Sequence, residues 1–193
     1  MSLTRQGFGP TIVGPYVPHS TPEEATVNNS TWQMILARRS IRKYTAQPVT
    51  LEEVKQLLEA AMAAPSGHNV QPWHFITVTH REALNRMAAI HPYGKMLPQA
   101  PLCIVICGEP RSEFWAQDCA AAAENILLAA TALGLGGVWC GVHPHPELEQ
   151  PVREILGIPP EITPFCLIPI GHPAERKEPR TQYREERVHY EHW

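Results

Sequence analysis

Hydrophobic positions along the chain repeat with two periods, and the blocks they form predict alternating helices and strands. Leu51, Val54, Leu57, Leu58, Ala61 and Met62 recur at helical spacing behind Thr50. Glu53, three residues after Thr50, completes a capping-box signature, and Pro65, Ser66 and Gly67 end the segment. Residues 73–79 alternate with β-branched and aromatic side chains and predict a strand; 82–90 predict a helix. The run 102–107, Leu-Cys-Ile-Val-Ile-Cys, has no polar position and predicts a strand covered on both faces. An Ala- and Leu-rich helix is expected over 112–133, stopped by Gly134. A strand over 137–142, a helix over 146–156 and a strand over 165–170 follow, with Pro169 pushing the last towards a sheet edge. Asn29, Ser30 or Thr31 can cap a short helix running to about Arg39. The pattern is that of one α/β domain, with about four strands and about five helices.

The first thirty or so residues break it. Pro10, Pro15, Pro18 and Pro22, with Gly7, Gly9 and Gly14, make 1–30 an extended arm and 31–193 the folded domain. Arms of this kind gain little by packing on their own chain, so two irregular ends point to a second subunit. A formal net charge of -3, from 16 Lys+Arg against 19 Asp+Glu, argues against a nucleic-acid or membrane-surface partner. The cysteines, Cys103, Cys107, Cys119, Cys140 and Cys166, are odd in number and form no CxxC, as expected of free thiols in a reducing compartment. No signal-peptide pattern opens the chain, and the most apolar span, 125–142, is interrupted by Gly134, Gly136 and Gly137. A cytoplasmic protein is expected.

Three segments carry candidate chemistry. Arg38, Arg39, Ser40, Ile41, Arg42, Lys43 and Tyr44 concentrate cations in an acidic chain. Guanidinium forks bind a phosphate dianion, although a solvated basic helix end has the same composition. Pro65, Ser66, Gly67, His68, Asn69, Val70, Gln71 and Pro72 form a rigid turn with two amide side chains, suited to a heterocycle edge or to their own backbone. Gly134, Gly136, Gly137 and Gly141 flank Trp139 and Cys140 and allow close backbone approach. They follow a helix and lead into a strand, so the dinucleotide-binding fingerprint is absent. Cys140, His143 and His145 leave a metal reading open, without the spacing of a structural zinc site. Asp118 and Glu124 lie on one helix with no partner evident, and no nucleophile or acid–base pair stands out.

In order, these segments resemble the FMN-dependent nitroreductase family over about 31–193. The resemblance rests on the 38–44 cluster, on 64–75, and on the Ala-rich helix entering Gly134, Leu135, Gly136, Gly137, Val138 and Trp139. Pro92, Tyr93, Gly94, Lys95 and Met96 add to it, as do Ile170, Gly171, His172 and Pro173 with the basic tail behind them. It implies an α+β fold with a mostly antiparallel sheet flanked by helices. It also implies an intertwined homodimer with FMN at the interface. Arg38, Arg39, Ser40 and Arg42 would hold the phosphate and ribityl region. Asn69 and Gln71 would bond the ribityl chain or pyrimidine edge, and Pro65, Ser66 and Gly67 would reach the partner's flavin. Trp139, Cys140, Gly141 and Val142 would line the flavin. Gln182 stands where relatives often carry arginine, which makes Arg180 the tail residue for the phosphate, with Arg184 in reserve. The implied activity is ping-pong reduction of nitro compounds, quinones or similar acceptors with NAD(P)H, the chemistry being the flavin's. Reductive dehalogenases, enone reductases, flavin-destroying enzymes and a non-catalytic flavin-binding dimer share the same resemblance. Tyr93, Met96 and Phe114 are the positions that would tune the acceptor.

Overall fold

A computed structural model describes residues 29–193; the arm expected over 1–30 falls outside them except for Asn29 and Ser30, which open a helix. The elements are α1 (Asn29–Ala37), α2 (Leu51–Met62), β1 (Trp73–Val78), α3 (Arg81–Ile90), β2 (Leu102–Gly108), α4 (Trp115–Ala132), β3 (Gly136–Gly137), β4 (Cys140–Gly141), α5 (Pro146–Leu156) and β5 (Thr163–Gly171). The Thr50 capping box is formed. Thr50 Oγ1 accepts the Glu53 N–H at 3.2 Å, and Glu53 Oε2 accepts the Thr50 N–H at 2.7 Å.

The sheet runs β1-β2-β5-β3, with β4 also on β5, and every pairing between these strands is antiparallel. This corrects the α/β reading of the alternating pattern and agrees with the α+β class. Hydrophobic period reports which face is buried and carries no information on strand direction.

β2 is buried along its whole length, as its unbroken apolar run requires. Leu102, Ile104 and Ile106 pack with Leu57 of α2 and Ala122, Ala123 and Ile126 of α4 on one face. Cys103, Val105 and Cys107 pack with Leu84 and Met87 of α3 and Leu148 and Val152 of α5 on the other. The result is a helix–sheet–helix sandwich in which small alanines let α4 lie close to the strands.

β5 corrects two expectations at once. It is central, between β2 and the β3–β4 edge, despite Pro164 and Pro169. The strand expected over 137–142 is divided into β3 and β4. Both halves keep one register on β5: Gly137 faces Ile170 and Cys140 faces Leu167, which sets Val138 opposite Pro169. The Pro169 carbonyl accepts the Val138 N–H at 3.3 Å. A strand residue's N–H and C=O point the same way, so the missing Pro169 N–H faces Val138 and the ladder breaks there. Pro164 falls at the other irregularity, the register shift between Ile106 and Cys107.

Candidate functional site

The break in the edge strand sets the site. Val138 and Val142 both donate their N–H groups towards β5, to Pro169 and to Phe165 (3.0 Å). In an antiparallel ladder alternate residues face the partner, so Cys140 also spends its amide on β5. Trp139 and Gly141 turn their amides outward to the open edge. Of the predicted 139–142 segment, these two hold the free main-chain donors. Val142 is fully buried, and the Cys140 thiol points to the Tyr93 carbonyl at 3.7 Å.

A cleft of about 450 Å³ opens on this edge, lined by Arg42, Pro92, Tyr93, Lys95, Met96, Trp139, Cys140 and Gly141. Its volume falls in the ~300–1,000 Å³ range of small-molecule sites. Arg42 arrives because the segment after α1 runs beside β3: Ile41 N–H donates to Gly137 O at 3.0 Å and Ser40 bridges Gly137. Tyr44 Oη, buried near Ile41 O (2.7 Å) and Pro169 O (3.0 Å), ties the same segment to β5. Burial raises the Tyr44 phenol above its ordinary range, so it stays a neutral strut. Trp139 meets Phe165 edge to face at 5.6 Å, which fixes its indole at the cleft wall. Among the described residues neither the Arg42 guanidinium nor the Lys95 ammonium forms an ion pair with a carboxylate, and both cations border the outward amides.

The other cations of the basic cluster take different places. Arg38 Nε pairs with Glu124 of α4 at 3.3 Å, and Arg39 donates to the Glu178 carbonyl. The tail returns along this segment. Arg42 N–H donates to Glu175 Oε1 at 2.6 Å, Lys177 Nζ donates to Ser40 O, and Arg180 N–H donates to Leu36 O at 3.2 Å. The hydrogen bond from Arg42, opposed by partial burial and aided by Lys177, lowers the Glu175 carboxyl below its ordinary value. Arg180 therefore lies beside Leu36 at the end of α1, two residues before Arg38, with its side chain exposed.

The turn over 65–71 forms a second group. Gly67 N–H donates to Asp118 Oδ1 at 3.0 Å, Gln71 N–H to Ser66 Oγ at 3.0 Å, and Gln71 Nε2 to Asn69 Oδ1 at 3.3 Å. His68, Asn69 and Gln71 all have positive φ, at 50°, 56° and 54°. Three such residues in one turn are costly and recur where a loop is shaped for a ligand or partner. Pro65, Ser66, Gly67, Asn69 and Gln71 line none of the cleft that holds Arg42. Phe114 covers Gly67, its Cδ2 2.5 Å from where a Cβ would stand, and does not line the cleft that holds Arg42.

Sequence reasoning passed over three residues the structure puts to use. Lys95 lines the cleft, Asp118 anchors the 65–71 turn, and Glu124 holds Arg38. Only Lys95 carried a signal, as a cation inside the Pro92–Met96 motif. The metal alternative finds no cluster: His143 pairs with Glu149 at 2.8 Å and His145 with Glu147 at 3.4 Å, while Cys140 turns to Tyr93. Among the described residues no group of three His, Cys, Asp or Glu is placed to hold a metal, and no helix is long and apolar enough to cross a membrane. A larger cleft of about 550 Å³, lined by His74, Cys107, Glu109, Arg111 and Ile158 among others, contains none of the residues expected to bind the cofactor.

Comparison with known proteins places this geometry. A protein of Archaeoglobus fulgidus, provisionally named an NADH dehydrogenase/NAD(P)H nitroreductase, is 44% identical over 169 residues, covering 83% of this chain and 97% of the relative. The solved structure of an FMN-dependent nitroreductase from Clostridium difficile R20291 superposes with a TM-score of 0.80 at 31% identity, over 84% of this chain and 99% of that one. The NADPH:FMN oxidoreductase of Vibrio harveyi, solved in complex with NAD+, gives a TM-score of 0.76 at 30% identity, over 86% and 78% of the two chains. The Nitroreductase family matches residues 35–91 and 89–172, and the chain belongs to that family.

Proposed function

We propose that the chain is an FMN-dependent NAD(P)H oxidoreductase that reduces nitro compounds, quinones or similar electron-poor acceptors by a ping-pong cycle, as a homodimer. The observation that carries this reading is the cleft in which Arg42 and Lys95 stand beside the outward amides of Trp139 and Gly141. FMN fits that donor set. Its phosphate needs cations without internal partners, its ring edge is rich in acceptors, and its flat face needs a surface without side chains, which Gly141 provides.

FMN held there would supply the redox chemistry between NAD(P)H and the acceptor. The residues of the chain bind and orient. Arg42 and Ser40, with Arg38, Arg39 and the tail residue Arg180, lie along one strip from the end of α1 to the cleft and would hold the phosphate and ribityl region. The Trp139 and Gly141 amides would donate to the ring edge, with Lys95 adding positive charge beside it. Cys140 and Val142 would hold this edge in place from the β5 side. Tyr93 and Met96 line the cleft and would meet the acceptor.

The homodimer is supported by where the second group lies. The 65–71 turn, with its three strained residues, sits on the N-terminal end of α4 and away from its own chain's cleft. Pro65, Ser66, Gly67, Asn69 and Gln71 would complete the cleft of a second copy. Tyr183, Val188, Tyr190 and Trp193 of the tail are exposed and would be covered by that copy.

The absorption spectrum of the purified protein is the direct test. A band near ~450 nm, a property of FMN itself, with about one FMN released per chain on heating, supports the reading. NAD(P)H oxidation should then depend on a nitroaromatic or quinone acceptor, and the Arg38→Ala, Arg42→Ala double variant should lose the flavin. A colourless protein that takes up no added FMN overturns the reading.

A further inference from the structure

His91 is buried, at 3% exposure, at the end of α3, where the chain enters the loop that brings Tyr93, Lys95 and Met96 to the cleft. Its ring makes two hydrogen bonds. The Tyr93 backbone N–H donates to Nδ1 at 3.1 Å, and Nε2 lies 2.8 Å from the Gly141 carbonyl. A backbone N–H only donates and a carbonyl only accepts, so both bonds form together only with the ring proton on Nε2 and none on Nδ1.

The two partners belong to two separate chain segments that both line the cleft. Tyr93 is on the 91–96 loop and Gly141 is on β4. The peptide after Gly141 is held from both sides, its carbonyl by His91 and its N–H, that of Val142, by Phe165 O. The Gly141 amide faces outward on the same side as its carbonyl. His91 thus occupies the acceptor of that residue and leaves its donor free. His91 also lines a neighbouring cavity of about 270 Å³ that shares Pro92, Tyr93 and Gly141 with the cleft.

We infer that His91 is a positioning residue of the FMN cleft: one buried imidazole fixes the Gly141 carbonyl on one segment and the Tyr93 amide on the other. It sets the separation of the two segments and leaves the Gly141 N–H as the donor presented to the ring edge. The inference rests on the FMN reading above.

Three variants of the full-length chain separate positioning from plain structural support. In His91→Gln the amide nitrogen comes near the place of Nε2 and keeps the bond to Gly141. In His91→Asn the amide oxygen comes near Nδ1 and keeps the bond to Tyr93. His91→Phe keeps ring volume and loses both. FMN affinity, the midpoint potential of bound FMN and the thermal midpoint are measured for each. The expected result is that His91→Asn and His91→Phe weaken FMN binding roughly tenfold and move the potential towards that of free FMN. His91→Gln should stay within roughly threefold and keep the wild-type potential, although it melts no higher than His91→Asn. Affinity and potential that merely follow the melting order overturn the inference, as does a wild-type potential in all three variants. A wild-type chain that binds no FMN removes the underlying reading, a failure seen before any His91 variant is made.

Discussion

The Asp118 carboxylate, 5% exposed on α4, accepts the Gly67 N–H at 3.0 Å through Oδ1 and leaves Oδ2 buried without a partner among the described residues. The pairing ties the 65–71 turn to the helix, and the idle oxygen makes it an expensive tie. Asp118→Ala should therefore strand the Gly67 amide, cost about 1–3 kcal/mol in denaturant unfolding and weaken FMN binding through the loosened turn. Asp118→Asn keeps an acceptor for Gly67 without a buried charge, and should stay within about 1 kcal/mol of the wild type. An alanine variant as stable as the wild type would show that the turn holds its shape without this bond.

Arg42 and Lys95 are the two cations on the cleft, whereas Arg38 is already engaged with Glu124. Losing a charge-assisted bond to the FMN phosphate or ring should cost about 1.5–3 kcal/mol, so Arg42→Ala and Lys95→Ala should each weaken FMN about tenfold or more in a fluorescence titration. The loss at Arg42 should shrink as salt rises, because part of it is long-range attraction to a dianion. Equal FMN affinity in both variants and the wild type would move the phosphate away from this cleft.

Gly141 and Gly67 are both expected from the resemblance to meet a flavin, yet the structure gives them opposite sensitivities. A Cβ on Gly141 would meet only Trp139 Nε1, at 3.9 Å, and otherwise project into open space. A Cβ on Gly67 would stand 2.5 Å from Phe114 Cδ2. Gly141→Val should thus keep the wild-type melting temperature and lose flavin colour, since the new side chain occupies the ligand's space. Gly67→Ala should lose stability, by about 1–3 kcal/mol, before FMN is considered. A Gly141→Val protein that stays fully loaded with FMN would place the ring elsewhere.

The parts of this fold that were legible in sequence are those decided by near neighbours. Thr50 and Glu53 form a cap because each supplies what the other's backbone lacks, and 102–107 is a two-faced strand because nothing in it is polar. The break between β3 and β4 was not legible, because its cause, Pro169, stands on another strand. Pro169 itself misled: its missing donor suggested an edge, whereas the sheet opens its partner strand around it. The site divides in the same way. The Arg42 and Gly141 segments announce themselves by composition, while His91 and Asp118 work through single contacts with Gly141, Tyr93 and Gly67 that no spacing encodes. The antiparallel class came from family resemblance and not from periodicity.

Burial sets the chemistry of the five cysteines, all of them free. It pushes the Cys107 and Cys119 thiols up to about 12, and Cys140 up to about 11, where the nearby Arg42 charge pulls the other way. A thiol whose folded value is raised favours the folded state while neutral, so this contribution is complete below the ordinary value of 9.0 and is lost as pH climbs through 11 to 12. Native protein should consequently resist alkylation near neutral pH, and labelling followed by mass spectrometry should find Cys140 reacting first as the solution turns alkaline. Arg42→Met keeps the length of the side chain but removes the cation, so the Cys140 thiolate becomes harder to form and its labelling should shift to higher pH. Faster labelling of Cys140 in that variant would mean that access to the cleft, and not the charge of Arg42, controls the thiol.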